Sequence, residues 1–211
     1  MKRYAGFLLF HLYLNFSLHF KYAIDRVINN LGSLIHSSPT LYSLEKIFYM
    51  MVGYVCSGKS RLVQDPPFDK CLIISENEIH DALDKIPFFN GAVGSIRFFA
   101  REAATCYISK LLLVRAFRLG ITTVNDACNL RYAWRRKILK LAKLLGYETR
   151  IIYAHDGEAH FLKQAGPHAE KVYWEIQARH LEAPEPWEAD SFADYNSLTG
   201  IIKERKNPAV A

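Results

Sequence analysis

The sequence GYVCSGKS at residues 53–60 constrains the fold of this chain more than any other feature. It has the spacing G-x-x-x-x-G-K-S of a phosphate-binding P-loop, in which backbone N–H groups surround phosphates. Such a loop needs a strand before it and a helix after it. The apolar run at 45–53 supplies the strand. A helix that begins at Lys59 can continue only to about Asp65, because two prolines follow and end it.

The motif predicts a nucleotide-binding role for a set of neighbouring residues. Lys59 is expected to reach the β- and γ-phosphates of ATP, and the Ser60 hydroxyl is expected to bind Mg²⁺. A turn that merely contains glycines is the alternative interpretation. The predicted nucleotide-binding residues are Gly53, Cys56, Ser57, Gly58, Lys59, Ser60 and Arg61.

Strand and helix patterns alternate after the P-loop. Short apolar runs at 71–75, 121–129 and 148–154 predict strands. A long helical stretch closed by Gly120 and an amphipathic helix at 130–146 lie between them. This alternation predicts right-handed βαβ units and therefore a three-layer α/β fold with a parallel central sheet.

Ligands bind at the carboxyl ends of the strands in sheets of this kind. Gly53, Ser75, Asp126 and His155 fall at those ends. Asp126 stands where a second carboxylate associated with Mg²⁺ is expected. Because the sequence NDACN also contains good capping residues, a helix-capping role for Asp126 stays open.

From about residue 45 the chain resembles the P-loop kinases of the polynucleotide-kinase-like group, which includes zeta-toxin-like and small-metabolite kinases. GYVCSGKS is similar to the group's loop G-x-x-x-S-G-K-S, and CLIISENEIHDAL stands where the group has a strand followed by S-R-D-E-I-R. TVNDACNLRYAWRRKILKLAKLLGYETRIIY resembles its V-D-A-T-N-L, arginine-bearing helix, glycine and strand. ARHLEAPEPWEADSF resembles its ending R-x-x-x-P-x-x-x-E-G-F/D. Together these blocks cover residues 45–195.

The resemblance implies that ATP binds the P-loop and that its γ-phosphate passes to a hydroxyl group. The acceptor would be a nucleic-acid 5′ end, a nucleotide or a small metabolite. Ser60 and Asp126 would hold Mg²⁺. Asp126 and Asn129 correspond to the group's D-x-x-N, and Arg135 or Arg136 corresponds to its helix arginine.

The chain departs from the group in the residues that would handle the acceptor. The acceptor-activating aspartate falls on Asn77, and an amide cannot accept a proton as a base. The neighbouring arginine falls on His80. In the lid, Lys163 stands nearest the first arginine position and offers a point charge instead of a bidentate fork. Glu76 and Glu78 flank Asn77. The candidate catalytic residues are Lys59, Asp126, Glu76, Glu78 and Asn77.

These departures leave two functions open: an ATP-dependent kinase, and a catalytically impaired nucleotide-binding module with a regulatory or interaction role. The basic helix at 131–143 and the net charge of +6 add a nucleic-acid binder as a third, although a solvated basic face also explains such a helix.

We expect residues 45–211 to form a P-loop kinase-like ATP-binding domain and residues 1–44 to form an N-terminal extension. Residues 1–23 begin like a signal peptide, but polar residues interrupt the apolar run and no cleavage site is evident. The run is also short and polar for a membrane span, so membrane contact by this segment is not favoured. A cytoplasmic location is expected, because export would separate an ATP-using domain from ATP.

Overall fold

The computed structural model describes residues 45–87, 89, 95–154, 175 and 177–205. The expected N-terminal extension and the lid residue Lys163 lie outside these residues, and so does His155. Within the described part of the chain, no helix is long and apolar enough to cross a membrane.

In the part of the chain that the structure describes, six strands form one sheet. The strands are β1 (Ile47–Gly53), β2 (Leu72–Ser75), β3 (Thr123–Asp126), β4 (Glu148–Ala154), β5 (Ser191–Asn196) and β6 (Ile201–Arg205). The helices are α1 (Lys59–Leu62), α2 (Glu76–Asp84), α3 (Ile96–Leu119) and α4 (Tyr132–Leu144), and short 3₁₀ helices cover Phe68–Lys70 and Pro186–Glu188.

The strand order is β2-β3-β1-β4-β5-β6. The first five strands in this order run parallel, as the alternation of strands and helices predicts. The predicted parallel central sheet is confirmed, and β6 adds an antiparallel edge strand beside β5. The reason is the connection: only residues 197–200 join the two strands, and a turn this short can form a hairpin but not a parallel crossover.

β1 lies at the centre of the sheet, between β3 and β4, and all seven of its residues are buried. The Phe48 ring meets Phe117 edge-on at 4.9 Å between ring centroids, and the Tyr49 ring meets Phe68 at 5.0 Å. Successive side chains of a strand point to opposite faces, so both faces of β1 are packed. A parallel strand buried on both faces reads as a continuous apolar run, which is why the sequence predicts it so clearly.

The chain divides into two compact units. The described residues of the first unit are 77–87, 89 and 95–112, and those of the second are 45–76, 113–154, 175 and 177–205. In the first unit Arg101 donates to both carboxylate oxygens of Asp84, at 2.8 and 3.0 Å. The second unit holds the whole sheet and the P-loop.

Candidate functional site

The carboxyl ends of the parallel strands meet along one edge of the sheet. The strand register aligns Ser75 with Asp126 and Gly53 with Ala154, and Ala154 in turn with Tyr195. The sequence prediction that Gly53, Ser75 and Asp126 share one edge is therefore confirmed. This edge is where an open α/β sheet binds its ligands.

The P-loop turns sharply between β1 and α1. Gly53 has a φ of +144°, and a Cβ atom there would lie 2.3 Å from the carbonyl oxygen of Ala154, so only glycine fits. Gly58 has a φ of +81°, and a Cβ atom there would lie 3.0 Å from Ser197 Cβ. The hydrogen bond from Asp65 N to the Leu62 carbonyl, at 3.1 Å, ends the helical turns after the loop where the sequence predicts.

The Lys59 side chain is folded back onto the loop and is only 6% exposed. Its ammonium donates to the carbonyls of Gly53, at 3.0 Å, and Tyr54, and to Ser57 Oγ at 3.1 Å. All three acceptors belong to the P-loop itself. The ammonium is therefore held beside the loop, where a phosphate group would meet it.

Asp126 is buried at the end of β3 and accepts a hydrogen bond from Ser75 Oγ at 3.2 Å. The partly buried Cys128 lies among the charged groups of this region. Burial raises the pKa of that thiol, the Lys59 ammonium lowers it, and the carboxylates of Glu76 and Asp126 raise it further. One cation and two carboxylates therefore all influence the pKa of this single thiol.

Of the predicted nucleotide-binding residues, Cys56, Ser60 and Arg61 are exposed and Ser57 is buried. Cys56 takes a left-handed backbone conformation with a φ of +59°. The loop thus combines exposed residues with a backbone that accepts hydrogen bonds from Lys59.

Asn129 holds the backbone next to the P-loop. Its Nδ2 donates to the Met51 carbonyl at 2.8 Å, and its φ of +47° turns the chain away from β3. The neighbouring Cys128 carbonyl accepts a hydrogen bond from Gly53 N at 3.1 Å. The D-x-x-N segment therefore ties the end of β3 to the end of β1.

Arg135 is fully buried in α4 and forms a bidentate ion pair with Glu188, with both distances 2.8 Å. Its Nη1 also donates to the carbonyls of Asn129, at 3.1 Å, and Leu130, at 2.9 Å. This guanidinium therefore holds α4 to Glu188 and to the backbone of residues 129–130, a structural role that the sequence does not reveal. The acceptor or lid role implied by the resemblance stays a prediction, and the adjacent Arg136 is exposed.

Three candidate acceptor residues belong to the first unit. Asn77 and Glu78 are exposed on α2. His80 Nε2 lies 3.2 Å from a carboxylate oxygen of Glu102. Burial raises the pKa of Glu102, but the bonds and charges of His80 and Arg101 lower it more, so the pKa lies below its ordinary value.

Gln177 is a site residue that the sequence analysis misses. It is 5% exposed, and its Oε1 accepts a hydrogen bond from the P-loop amide of Val55 at 2.9 Å. Its Nε2 approaches Cys128 Sγ at 3.8 Å. Because the two bonded residues are 122 positions apart in sequence, no local sequence pattern predicts this hydrogen bond.

We expect Gln177→Met to loosen the P-loop, because the side chain keeps its length but no longer accepts the Val55 hydrogen bond. A buried N–H group left without an acceptor costs about 1–3 kcal/mol, and the partly buried Val55 N–H lies at the lower end of that range. Amide hydrogen exchange measured by NMR should be about 10-fold faster at Val55, and ATP affinity measured by calorimetry should fall. The exposed Gln64→Met is the matched control. Unchanged exchange at Val55 in the Gln177 variant would contradict the assignment.

The groups at this edge fit a nucleotide with Mg²⁺. The loop has the backbone conformation that only glycine allows at Gly53, an ammonium at Lys59 and an exposed hydroxyl at Ser60. Asp126 adds a carboxylate at the neighbouring strand end. Hydroxyl and carboxylate oxygens are hard ligands of the kind Mg²⁺ prefers.

Comparison with known proteins agrees with this geometry. The AAA domain family (AAA_33) matches residues 48–172. No curated protein matches the sequence.

Two solved structures share the fold. One, from the PezAT chromosomal toxin-antitoxin system of Streptococcus pneumoniae, has a TM-score of 0.60 at 16% identity and covers 87% of this chain and 78% of that chain. The other, the AvrRxo1-ORF1:AvrRxo1-ORF2 complex with sulphate ions, has a TM-score of 0.53 at 12% identity and covers 87% and 66%.

A gluconokinase from Sinorhizobium meliloti is also similar, with a TM-score of 0.47 at 17% identity, and covers 71% of this chain and 82% of that chain. The family match spans more than half of the 211 residues, including the whole P-loop and Asp126. The chain therefore belongs to this AAA domain family and has a P-loop kinase-like fold.

Proposed function

We propose that this protein is an ATP-dependent phosphotransferase that moves the γ-phosphate of ATP to a hydroxyl group. The acceptor would be a nucleic-acid 5′ end, a nucleotide or a small metabolite. The observation that carries the proposal is the P-loop with the folded-back Lys59 and, at the adjoining strand end, the buried Asp126. The family match supports nucleotide binding by a kinase-like domain.

Each group at the edge has a task in this proposal. Lys59 would exchange its loop carbonyls for oxygens of the β- and γ-phosphates. Ser60 and Asp126 would hold Mg²⁺, which when bound neutralises charge on the phosphates. Ser75, which donates to Asp126, would keep that carboxylate oriented.

In the transfer, the acceptor oxygen bonds to the γ-phosphorus as the bond from that phosphorus to the β–γ bridging oxygen breaks. ADP leaves with the bridging oxygen, and the hydroxyl proton passes to solvent or to the carboxylate of Glu76. Positioning and charge stabilisation supply most of the acceleration in such reactions. The chemistry can therefore tolerate an amide at Asn77.

A nucleotide-binding module without significant turnover is the second candidate. Two observations favour it: Asn77 replaces the expected base, and the Arg135 guanidinium is bonded to Glu188 and to backbone carbonyls instead of facing solvent. An arginine that contacts the transferring phosphoryl group accounts for about 10³–10⁵ in rate in other phosphotransferases.

Transfer of radiolabelled γ-phosphate from ATP tests the proposal. Wild-type protein with Mg²⁺ would be offered a 5′-hydroxyl oligonucleotide, a nucleoside panel and a sugar panel. Asp126→Asn keeps the shape of the side chain but removes its charge, and we expect it to lower transfer at least about 100-fold, the scale of one lost charge-stabilising group. Transfer that is equal in both proteins would contradict the role of Asp126.

The two candidate functions are distinguished by whether the protein binds ATP without transferring its phosphate. If the wild type binds ATP and transfers nothing to any acceptor, Asn77→Asp becomes the informative variant. Transfer gained by this variant would show an intact site that lacks only its base, while none would support the binding module. An ATP-using protein needs the cytoplasmic nucleotide pool, so we propose that location, which cell fractionation would test.

A further inference from the structure

A groove of about 390 Å³ lies beside α4, in the unit that holds the sheet. One wall is the face of α4 that carries Tyr132, Arg136, Lys140 and Lys143, residues spaced three or four apart and therefore on the same side of the helix. Trp187 contributes to the other wall. The P-loop motif and the nucleotide site do not account for this groove.

The wall formed by α4 is cationic, and part of its charge is unpaired. The segment 131–145 contains no acidic residue. Lys143 Nζ forms an ion pair with Asp190 at 2.8 Å. Arg136 and Lys140 are exposed and have no ion pair with any residue that the structure describes. Lys137, the next residue along the helix, is exposed as well.

The acidic loop at 182–190 does not pair with Arg136 or Lys140, because two of its carboxylates pair with other cations of α4 and the other two do not line the groove. Glu182 accepts from Tyr132 N at 2.7 Å, and Glu185 accepts from the backbone of its own 3₁₀ turn. Glu188 is occupied by the buried guanidinium of α4, and Asp190 binds Lys143. The charge left over in the groove is therefore positive.

An exposed tryptophan ring lines the groove together with these cations. Trp187 is 54% exposed, and its ring meets Tyr132 edge-on at 5.5 Å between centroids. Farther round α4 and outside the groove, Trp134 is 40% exposed and Lys137 Nζ lies 5.9 Å from its ring centroid. Exposed tryptophan rings leave a large flat apolar surface in water. Rings of this kind beside unpaired cations form the combination that stacks bases while it tracks a phosphate backbone.

We propose that this groove binds single-stranded nucleic acid. Arg136, Lys140 and the adjacent Lys137 contact successive phosphates, and a base stacks on Trp187. An acidic peptide would satisfy the cations but has no regularly spaced rings to cover the tryptophans. Binding here needs neither ATP nor transfer, so the inference does not depend on the proposed function.

Fluorescence anisotropy of the full chain with a fluorescein-labelled single-stranded oligo-uridine tests the inference. Three phosphate contacts predict that the logarithm of the association constant falls with the logarithm of salt concentration with a slope of about −2. Arg136→Gln/Lys140→Gln should reduce that slope to about −0.7. Arg118→Gln/Lys203→Gln makes the same change in net charge at two exposed residues outside the groove and should leave the slope near −2.

Stacking is tested separately at Trp187. Trp187→Ala should weaken binding about 10-fold, the scale of one lost base–aromatic stack, and Trp187→Phe should keep most of the affinity. Circular dichroism melts would establish that each variant folds, and the charge pair and Trp187→Phe carry the test if Trp187→Ala does not.

Three results would overturn the inference. One is the absence of binding at low salt. Another is an equal loss of affinity in the groove pair and the control pair. The third is competition by polyglutamate as strong as by unlabelled oligonucleotide, together with no effect of Trp187→Ala, which would indicate a general polyanion surface or a site for an acidic protein.

Discussion

Lys59→Met should weaken ATP binding by about 10- to 100-fold in calorimetry with Mg²⁺, because a hydrogen bond from a charged group contributes about 1.5–3 kcal/mol. The ammonium already lies beside the loop, bonded to the carbonyl of Gly53 and the hydroxyl of Ser57. These acceptors hold the cation where incoming phosphates would replace them. Methionine keeps the apolar stem, so the loss would report the charge and not a cavity.

The exposed Lys70→Met is the matched control for charge, and its ATP affinity should stay close to that of the wild type. A weak effect in both variants would mean that the loop is only a glycine-containing turn. Equal losses in both would mean that the effect is long-range electrostatics and not contact at the loop.

Arg135→Met should lower the free energy of unfolding by about 3–5 kcal/mol, since breaking a buried ion pair leaves the partner charge uncompensated. The partner here is Glu188, which is as buried as the arginine. The variant also removes the donor to the Leu130 carbonyl at 2.9 Å. Urea unfolding followed by circular dichroism measures the change.

Two variants sharpen this test. Arg136→Met, one residue along and exposed, should change the free energy of unfolding by no more than about 0.5 kcal/mol. Adding Glu188→Gln to Arg135→Met should restore part of the stability, because the uncompensated charge is then gone. Equal urea midpoints for the two arginine variants would contradict the structural role of Arg135.

The contrast between Arg135 and Arg136 depends on tertiary packing that the local sequence does not encode. Both arginines sit on a helix whose periodicity is plain, and the resemblance offers either as the functional one. Which of them points inward depends on the chain that packs against the helix, and that chain is the 3₁₀ turn at Pro186–Glu188. A helical pattern identifies an apolar stripe, but it cannot identify a buried charge whose partner lies 53 residues away.

The sheet edge formed by β5 and β6 also depends on a tertiary contact that the local sequence does not reveal. Neither segment is a long apolar run, and every residue of β6 is exposed. The strand exists because its backbone pairs with β5, and that pairing is a tertiary contact without a local signature. By contrast, β1 is buried on both faces and could be predicted from its composition alone.

The sequence by itself determined the P-loop, the central strand before it, and the placing of Gly53, Ser75 and Asp126 at the strand ends. Each of these is encoded within a window of a few residues, through glycine conformation, apolar runs and the alternation of strands and helices. Only the tertiary structure decided that Lys59 folds back onto the loop and that Gln177 accepts the Val55 hydrogen bond. Buried polar groups take whichever partner the packed chain brings within hydrogen-bond distance, and sequence spacing does not record that choice.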